Sequence, residues 1–525
     1  MDYYISVVLI GISAVLSSFA GLPIFKIIQL SGYKASGVTA WWKATSFDTL
    51  IRYSALMLFA FVAMIVFVGC FSTFEYARYC AAALYVILAT VFICSVVKRK
   101  DGAVKFTGRM KRLIAVHIFI MLLLGGGAAL ATYYSPYCQT LTAAFGILTP
   151  FVVFVANLIA SPFEKLNNKK YIKRAKTKLA EKRPIVIGIT GSYGKTTTKS
   201  LLEAMLETKY SVLATPGSFN TPMGVCMTVN NDLSDQQCFI AEMGARHKGD
   251  IKELCDIASP VYGIITAVGD MHLETFGTRA AVADAKFELA ACLPENGFAV
   301  FNGKNAPCSE LAEREMKCRF ELTCANGRVG CDNISIGSSG TTFDLIIDGN
   351  KYETTTRLLG LHIPELVCCA AAVALELGVT PEEIVGAVAT AEPVEHRLQL
   401  ISSPDPLVTV IDDAYNSNPV GARNALEVLG KFDAKKIIIT PGFVELGAIE
   451  KECNTELGKS IAGVCDYAFL VGSHAEDIKK GAVEAGMVES CVCVYPSRDE
   501  AVAALETIAG ARVILFENDL PDNIK

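Results

Sequence analysis

Five apolar stretches follow one another in the first 160 residues: Tyr4–Pro23, Tyr53–Phe71, Cys80–Val97, Leu113–Tyr133 and Leu141–Ala160. Each approaches the roughly 20 residues that a helix needs to cross a bilayer. One such stretch also suits a buried core helix; five in a row with short connections do not. The 525-residue chain has a mean hydropathy of +0.39 and only 19% charged residues, and the apolar excess sits in this first part. The first stretch has neither a basic start nor a small-residue cleavage site, so it does not read as a signal peptide. The sequence predicts a five-helix transmembrane domain over residues 1–163.

Positive charge sets its orientation. Lys26, Lys34, Lys43 and Arg52 lie in the first loop, and Lys98, Arg99, Lys100, Lys105, Arg109, Lys111 and Arg112 in the third. The second loop carries only Arg78 and the fourth no basic residue. Cytoplasmic loops collect Lys and Arg, so the first and third loops face the cytoplasm and the fifth helix exits there. It runs into Lys165, Lys169, Lys170, Lys173, Arg174, Lys176 and Lys178, a basic linker over 164–183. This run either lies on anionic lipid headgroups or forms a solvated linker helix.

No Asp, Glu, Lys or Arg falls within the apolar cores, whereas transporters and pumps keep ionisable groups there. His117 is near the cytoplasmic end of its helix, where the interface can solvate it. The helices read as an anchor or lipid-facing platform. A net charge of −5 argues against nucleic acid as a partner. The 18 cysteines form no disulfide or zinc spacing and read mostly as small buried hydrophobes in a reducing compartment.

After the strand Pro184–Ile189 comes Gly188-Ile-Thr-Gly191-Ser192-Tyr-Gly194-Lys195-Thr196-Thr197-Thr-Lys-Ser200. Gly191 and Gly194 allow a tight turn whose N–H groups point at phosphate oxygens. Lys195 adds positive charge, and Thr196 offers a hydroxyl to Mg²⁺. Ser192 and Thr197 complete the candidate nucleotide-binding set. Two residues rather than four separate Gly191 from Gly194, so the loop is shorter than a Walker loop. A helix from about Lys199 would put phosphates at its N-terminus.

Beyond this point short strands alternate with helices, which implies parallel α/β sheets. One series runs Ile185–Thr190, Ser211–Ala214, Cys238–Glu242, Tyr262–Ala267 and Phe298–Phe301. A second runs Leu407–Ile411, Lys436–Thr440, Tyr467–Val471, Val492–Tyr495 and Val513–Phe516. Asn326-Gly327 and Asp348-Gly349-Asn350 mark hairpins in an antiparallel insert between the series. The domains are 184–398 and 399–525.

Glu242 ends a parallel strand, where a carboxylate faces the ligand crevice. With Thr196 and His272 it could hold one or two Mg²⁺ ions; taken alone, His272 reads as a loop histidine. Lys286 lies on the less polar face of a helix over about 280–293, and by itself reads as a snorkelling lysine.

From Pro184 onward the chain resembles the muramoyl-peptide (Mur) ligases. The residues that carry this are Gly191–Lys199, Asn220-Thr-Pro-Met-Gly-Val, Glu242-Met-Gly-Ala-Arg-His, His272-Leu-Glu-Thr-Phe-Gly, Ala285-Lys286, His396-Arg397 and Asp412-Asp413-Ala-Tyr-Asn-Ser-Asn-Pro. The resemblance implies a P-loop central α/β domain and a Rossmann-like C-terminal domain. It implies a ligase that uses ATP and two Mg²⁺ ions to activate a carboxylate as an acyl phosphate, which an amine then attacks. Lys195 would stabilise charge on the phosphates; Thr196 and Glu242 would hold one Mg²⁺ and His272 the second. Lys286 matches a lysine that these enzymes carbamylate to serve near the metal. Arg397 and Asp413 match residues that close on the nucleotide.

Three departures stand out. The uridine-diphosphate-binding N-terminal domain is replaced by the apolar segment. The Gly-x-His-Asn-x-x-Asn pattern reads Gly360-Leu-His-Ile363-Pro-Glu-Leu366, and the C-terminal Lys-Gly-Ser-Arg reads Glu517-Asn-Asp-Leu-Pro-Asp-Asn. The expected protein is a membrane-anchored ligase with cytoplasmic catalytic domains. It would add an amino acid, or a dipeptide such as D-alanyl-D-alanine, to a cell-wall muramoyl-peptide precursor, soluble or lipid-linked. A membrane-associated polyamino-acid synthase and a nucleotide-dependent membrane regulator are the alternatives.

Overall fold

The computed structural model describes residues 4, 7–8, 10–12, 14–15, 18, 21–30, 33, 104–135, 144–415, 418–444 and 446–518. The chain divides into two units, Met1–Lys169 and Lys170–Lys525.

In the first unit, helices cover Leu22–Leu30 and Gly108–Tyr134, and a third begins at Ala144 and runs to Lys182. The second and third apolar stretches, 53–71 and 80–97, lie outside the described residues. Gly108–Tyr134, which contains the fourth stretch, is the one described helix long and apolar enough to cross a membrane. The five-helix expectation therefore stands on the sequence pattern for its remainder. Arg112 donates from Nε and Nη2 to Glu164 at 2.6 and 2.9 Å, a bidentate tie at the basic end of the helix. His117 departs from expectation: it is fully buried, and its ring meets Phe25 edge-on at 5.3 Å. It is packed among helices, not solvated at an interface.

The second unit contains two six-stranded sheets and one three-stranded sheet. The first comprises β1 (Ile185–Thr190), β2 (Val212–Ala214), β3 (Cys238–Glu242), β4 (Tyr262–Ile265), β5 (Phe298–Asn302) and β6 (Arg319–Thr323). All pairs are parallel, in the order β2-β3-β1-β4-β5-β6. Strands buried on both faces read as continuous apolar runs, and Ile-Val-Ile-Gly-Ile in β1 does so. Ile187 and Ile189 join the core under the helices Lys195–Glu207 and Ile363–Glu376. Val186 faces the other core, under Pro222–Asp232, Asp250–Ala258 and Arg279–Cys292. With β3 and β4 on either side of β1, the carboxyl ends of these strands open on one crevice, the usual ligand position in such sheets.

The basic run is more than a linker. In its part belonging to the second unit, Ala175 and Leu179 are buried in the second of those cores, with Tyr171 and Ile172 packed beside them. Lys178 Nζ donates to Asn230 O at 3.1 Å, Asn230 Nδ2 to Tyr171 O at 3.1 Å, and Lys182 pairs with Asp235 at 2.8 Å. The solvated-linker reading fails for this apolar face, which is part of the α/β body.

The antiparallel insert is β7 (Val329–Gly337), β8 (Gly340–Ile347) and β9 (Asn350–Thr356). Asp348 and Gly349 close β8 onto β9 with φ of 49° and 82°, the geometry that favours Asp-Gly in a two-residue hairpin. Asn326-Gly327 instead joins β6 to β7 between two sheets. The remaining hairpin turns at Ser338–Ser339, between the paired Gly337 and Gly340.

The last sheet comprises β10 (Gln399–Ser402), β11 (Val408–Asp413), β12 (Lys435–Thr440), β13 (Tyr467–Val471), β14 (Val492–Tyr495) and β15 (Arg512–Glu517). Its order is β10-β11-β15-β12-β13-β14, parallel except for the edge strand β10.

Candidate functional site

The loop after β1 turns directly into the helix Lys195–Glu207, several residues earlier than expected. Two glycines make the turn feasible. A Cβ on Gly191 would collide with Thr266 Oγ1, and Gly194 has φ 79° with Leu366 Cδ2 only 2.8 Å from where its Cβ would be. Lys195 Nζ donates to Gly191 O at 2.8 Å, so the lysine folds back over the cradle. Burial lowers its pKa; Glu242 opposes this and the Arg397 guanidinium adds to it. Ser192 Oγ donates to Gly269 O at 3.2 Å, tying the loop to the segment after β4. Thr197 follows Thr196 in the first turn of the helix.

Glu242, 1% exposed, is the hub. Thr196 Oγ1 donates to its Oε2 at 3.0 Å, and Asn220 Nδ2 to its Oε1 at 3.1 Å. Its own N–H donates to Thr215 Oγ1 at 3.0 Å, which anchors the strand end. Lys199 Nζ reaches Oε2 at 3.3 Å and also donates to Thr215 O at 2.6 Å and to Gly217 O. Lys199 was not among the candidate site residues. It lies one helical turn beyond Lys195, and that i, i+4 spacing was the available signal.

Lys286 is 3% exposed on the helix Arg279–Cys292, so its amine does not snorkel. Burial lowers its pKa to about 7, helped by the like charge of Lys195. His272 precedes the short helix Leu273–Phe276 as its N-terminal cap, in a left-handed conformation with φ 54°.

The last sheet brings a second set to this region. The Arg397 guanidinium lies 4.4 Å from the Tyr415 ring centroid, and Tyr415 hydroxyl meets Ser218 Oγ. Asp413 accepts from Leu398 N at 3.2 Å; burial raises its pKa to about 6 against the pull of Arg397. His396 Nδ1 is 2.7 Å from Asp412 Oδ2. His362 stands 3.2 Å from Asn424 Nδ2, and burial lowers its pKa to about 4, with Arg397 adding to the effect. Ile363 and Leu366, where the family pattern has asparagines, are 3% and 2% exposed and belong to the core.

Residues 189–374 match the Mur ligase middle domain, and residues 396–517 match the Mur ligase glutamate ligase domain. The UDP-N-acetylmuramoyl-tripeptide–D-alanyl-D-alanine ligase of Escherichia coli K12 is 31% identical over 307 residues, 57% of this chain and 67% of the relative.

The chain belongs to the Mur ligase family.

The enzyme of the same description from Mycobacterium tuberculosis H37Rv is 38% identical over 247 residues, 46% of this chain. The chain spans 48% of the length of that relative. Among solved structures, the MurF ligase of Thermotoga maritima in complex with ADP aligns with a TM-score of 0.61 at 26% identity, covering 68% of this chain and 81% of that one. MurF from Acinetobacter baumannii aligns with the same score at 25% identity, over 68% and 78% of the two chains.

Proposed function

We propose that this Mur ligase is a membrane-anchored, ATP-dependent carboxylate–amine ligase that extends a cell-wall muramoyl peptide, with D-alanyl-D-alanine as its amine substrate. The observation that carries the reading is Glu242, buried at a strand end and hydrogen-bonded to Thr196 beside the glycine cradle. A carboxylate and a hydroxyl at the N-terminus of a helix form an oxygen donor set suited to Mg²⁺, and the cradle has space only because Gly191 and Gly194 lack side chains. Thr196 and Glu242 would hold one ion and His272 a second; the metal would neutralise phosphate charge.

In this reading a substrate carboxylate oxygen bonds to the γ-phosphorus of ATP as the β–γ bridge breaks and ADP leaves. The amine nitrogen then bonds to the acyl carbon, the C–O bond to phosphate breaks, and the nitrogen loses a proton to solvent. Lys195 stabilises charge as it moves across the phosphates. Lys286, held near neutrality, is nucleophilic enough to take up CO₂ as a carbamate, placing a negative group beside Lys195. Arg397 and Asp413 approach the nucleotide from the last domain.

The membrane anchor rests on the 27-residue helix Gly108–Tyr134, about 40 Å long at 1.5 Å per residue. Its most apolar window is only 28% buried, and Phe119, Leu122, Leu123 and Leu130 are exposed. Lipid is the environment that suits such a surface. We place the α/β domains in the cytoplasm from the Lys/Arg bias of the loops. The apolar segment that precedes the middle domain supports a lipid-linked carboxylate substrate, since an anchor supplies effective concentration.

The test is phosphate release by the full-length protein in bilayers with ATP, D-alanyl-D-alanine, and matched muramoyl tripeptides on a lipid or on uridine diphosphate. Release that needs both peptide and dipeptide, and that Lys195→Ala abolishes, supports the ligase. Release with neither would remove it. A strong preference for the uridine-diphosphate form would end the lipid-linked substrate while leaving the ligase.

A further inference from the structure

The cysteines are not all core filler. Cys324 follows β6, Cys331 is in β7 and Cys368 is in the helix Ile363–Glu376. Sequence separations of 7 and 37 residues conceal them, yet the fold brings the three Sγ atoms within 4.8 Å of one another. Cys324 and Cys331 sulfurs are 3.6 Å apart. With metal–sulfur bonds of about 2.3 Å, sulfurs sharing one ion stand roughly 3.8 Å apart in a tetrahedral site and 4.0 Å in a trigonal one. Buried cysteines such as Cys226 and Cys308 belong to no such thiol trio among the described residues.

Two further features fit a ligand site. Cys324 has φ 58°, a left-handed conformation that non-glycine residues seldom adopt. Cys324 and Cys331 are half-buried and Cys368 fully buried, so the trio has a solvent side and an apolar back.

We propose that Cys324, Cys331 and Cys368 form a three-thiolate site for a thiophilic d¹⁰ metal ion, Zn²⁺ or Cu⁺. Soft thiolates select these ions. Each thiol releases its proton to solvent as its sulfur bonds to the ion. Cu⁺ would be complete with three sulfurs; Zn²⁺ would take water from the exposed side as its fourth ligand. The ion would clamp the antiparallel insert to the helix Ile363–Glu376, whose Leu366 backs Gly194 of the phosphate loop. The site is distinct from the proposed Mg²⁺ position, which offers only harder oxygen and imidazole ligands.

The experiment loads full-length protein, reduced with a phosphine under argon, with Zn²⁺ or Cu⁺ in separate arms. Loosely bound metal is then removed with a weak chelator. Metal per chain is measured for the wild type, Cys331→Ser and the control Cys491→Ser, together with melting temperature. The proposal expects about one ion per chain and a higher melting temperature in the wild type and the control, and less than about a tenth of an ion in Cys331→Ser. Which arm retains metal identifies the ion. Cys324→Ser, also half-buried, replaces Cys331→Ser if that variant does not fold. Equal retention by the wild type and the cysteine variant overturns the site. So does no retention in either arm, including the case where the isolated protein carries a Cys324–Cys331 disulfide and the reduced protein binds nothing.

Discussion

Thr196 Oγ1 donates to Glu242 Oε2 at 3.0 Å, so a hydroxyl from a helix start and a carboxylate from a strand end already converge. If both serve one Mg²⁺, Thr196→Val keeps the shape but removes one oxygen. The Mg²⁺ concentration for half-maximal phosphate release should then rise at least about tenfold. A magnesium titration of turnover checks this, and an unchanged midpoint would remove Thr196 from the metal site.

Lys286 provides a test with two independent readouts. Lys286→Ala should lose most activity, and acetate or formate should restore part of it by standing in for a carbamate. Stability gives the second readout. The folded pKa is about 7 against an ordinary 10.5. Between these values the unfolded chain holds a proton that the folded one lacks. Without CO₂, stability should therefore rise as pH increases from 7 to 10.5, and Lys286→Met should flatten that slope. Urea midpoints in CO₂-free buffers across this range measure it.

Asp413 titrates in the opposite sense. Its folded pKa is about 6 against 3.8, so between those values the folded chain holds a proton that the unfolded one has lost. Its contribution to stability is present below 3.8 and is lost as pH rises through 6. Activity should run the other way, rising through about pH 6 as the carboxylate forms and pairs with Arg397. Asp413→Asn should abolish that acid limb in a pH–rate profile; a limb that persists unchanged would assign it to another group.

For the anchor, single-cysteine labelling in intact cells should place Lys105 and the C-terminus on one side of the membrane and Gln139 on the other. Lys105 and Gln139 labelled from the same side would refute the five-helix topology.

The legible parts of this protein were those written locally. Gly191, Gly194 and Lys195 fall within five residues of sequence, and backbone sterics alone explain their turn. β1 and β3 read directly because parallel strands covered on both faces carry unbroken apolar runs. Asp348-Gly349 was readable because its left-handed residues demand it; Ser338–Ser339 was not, since its glycines flank the turn. What stayed hidden depended on distant partners. The burial of Lys286 required knowing what covers its helix, and the bond of Lys199 to Glu242 joins residues 43 apart. The three clustered cysteines have no local spacing to announce them. The replacements Ile363 and Leu366 looked like losses of polar groups, yet in place they fill the core behind the phosphate loop.

The docking of Tyr171, Ile172, Ala175 and Leu179 decides where this α/β body begins. A truncation starting at Arg183, where the charge pattern ends, would uncover the apolar floor beneath Ala175 and delete the Lys182–Asp235 pair. The resulting fragment would be prone to self-association, because a bared hydrophobic stripe seeks another surface. The turns from Tyr171 to Leu179 are therefore the first packed element of the ligase body, with Lys173 and Lys176 facing outward and Ala175 and Leu179 forming the seam.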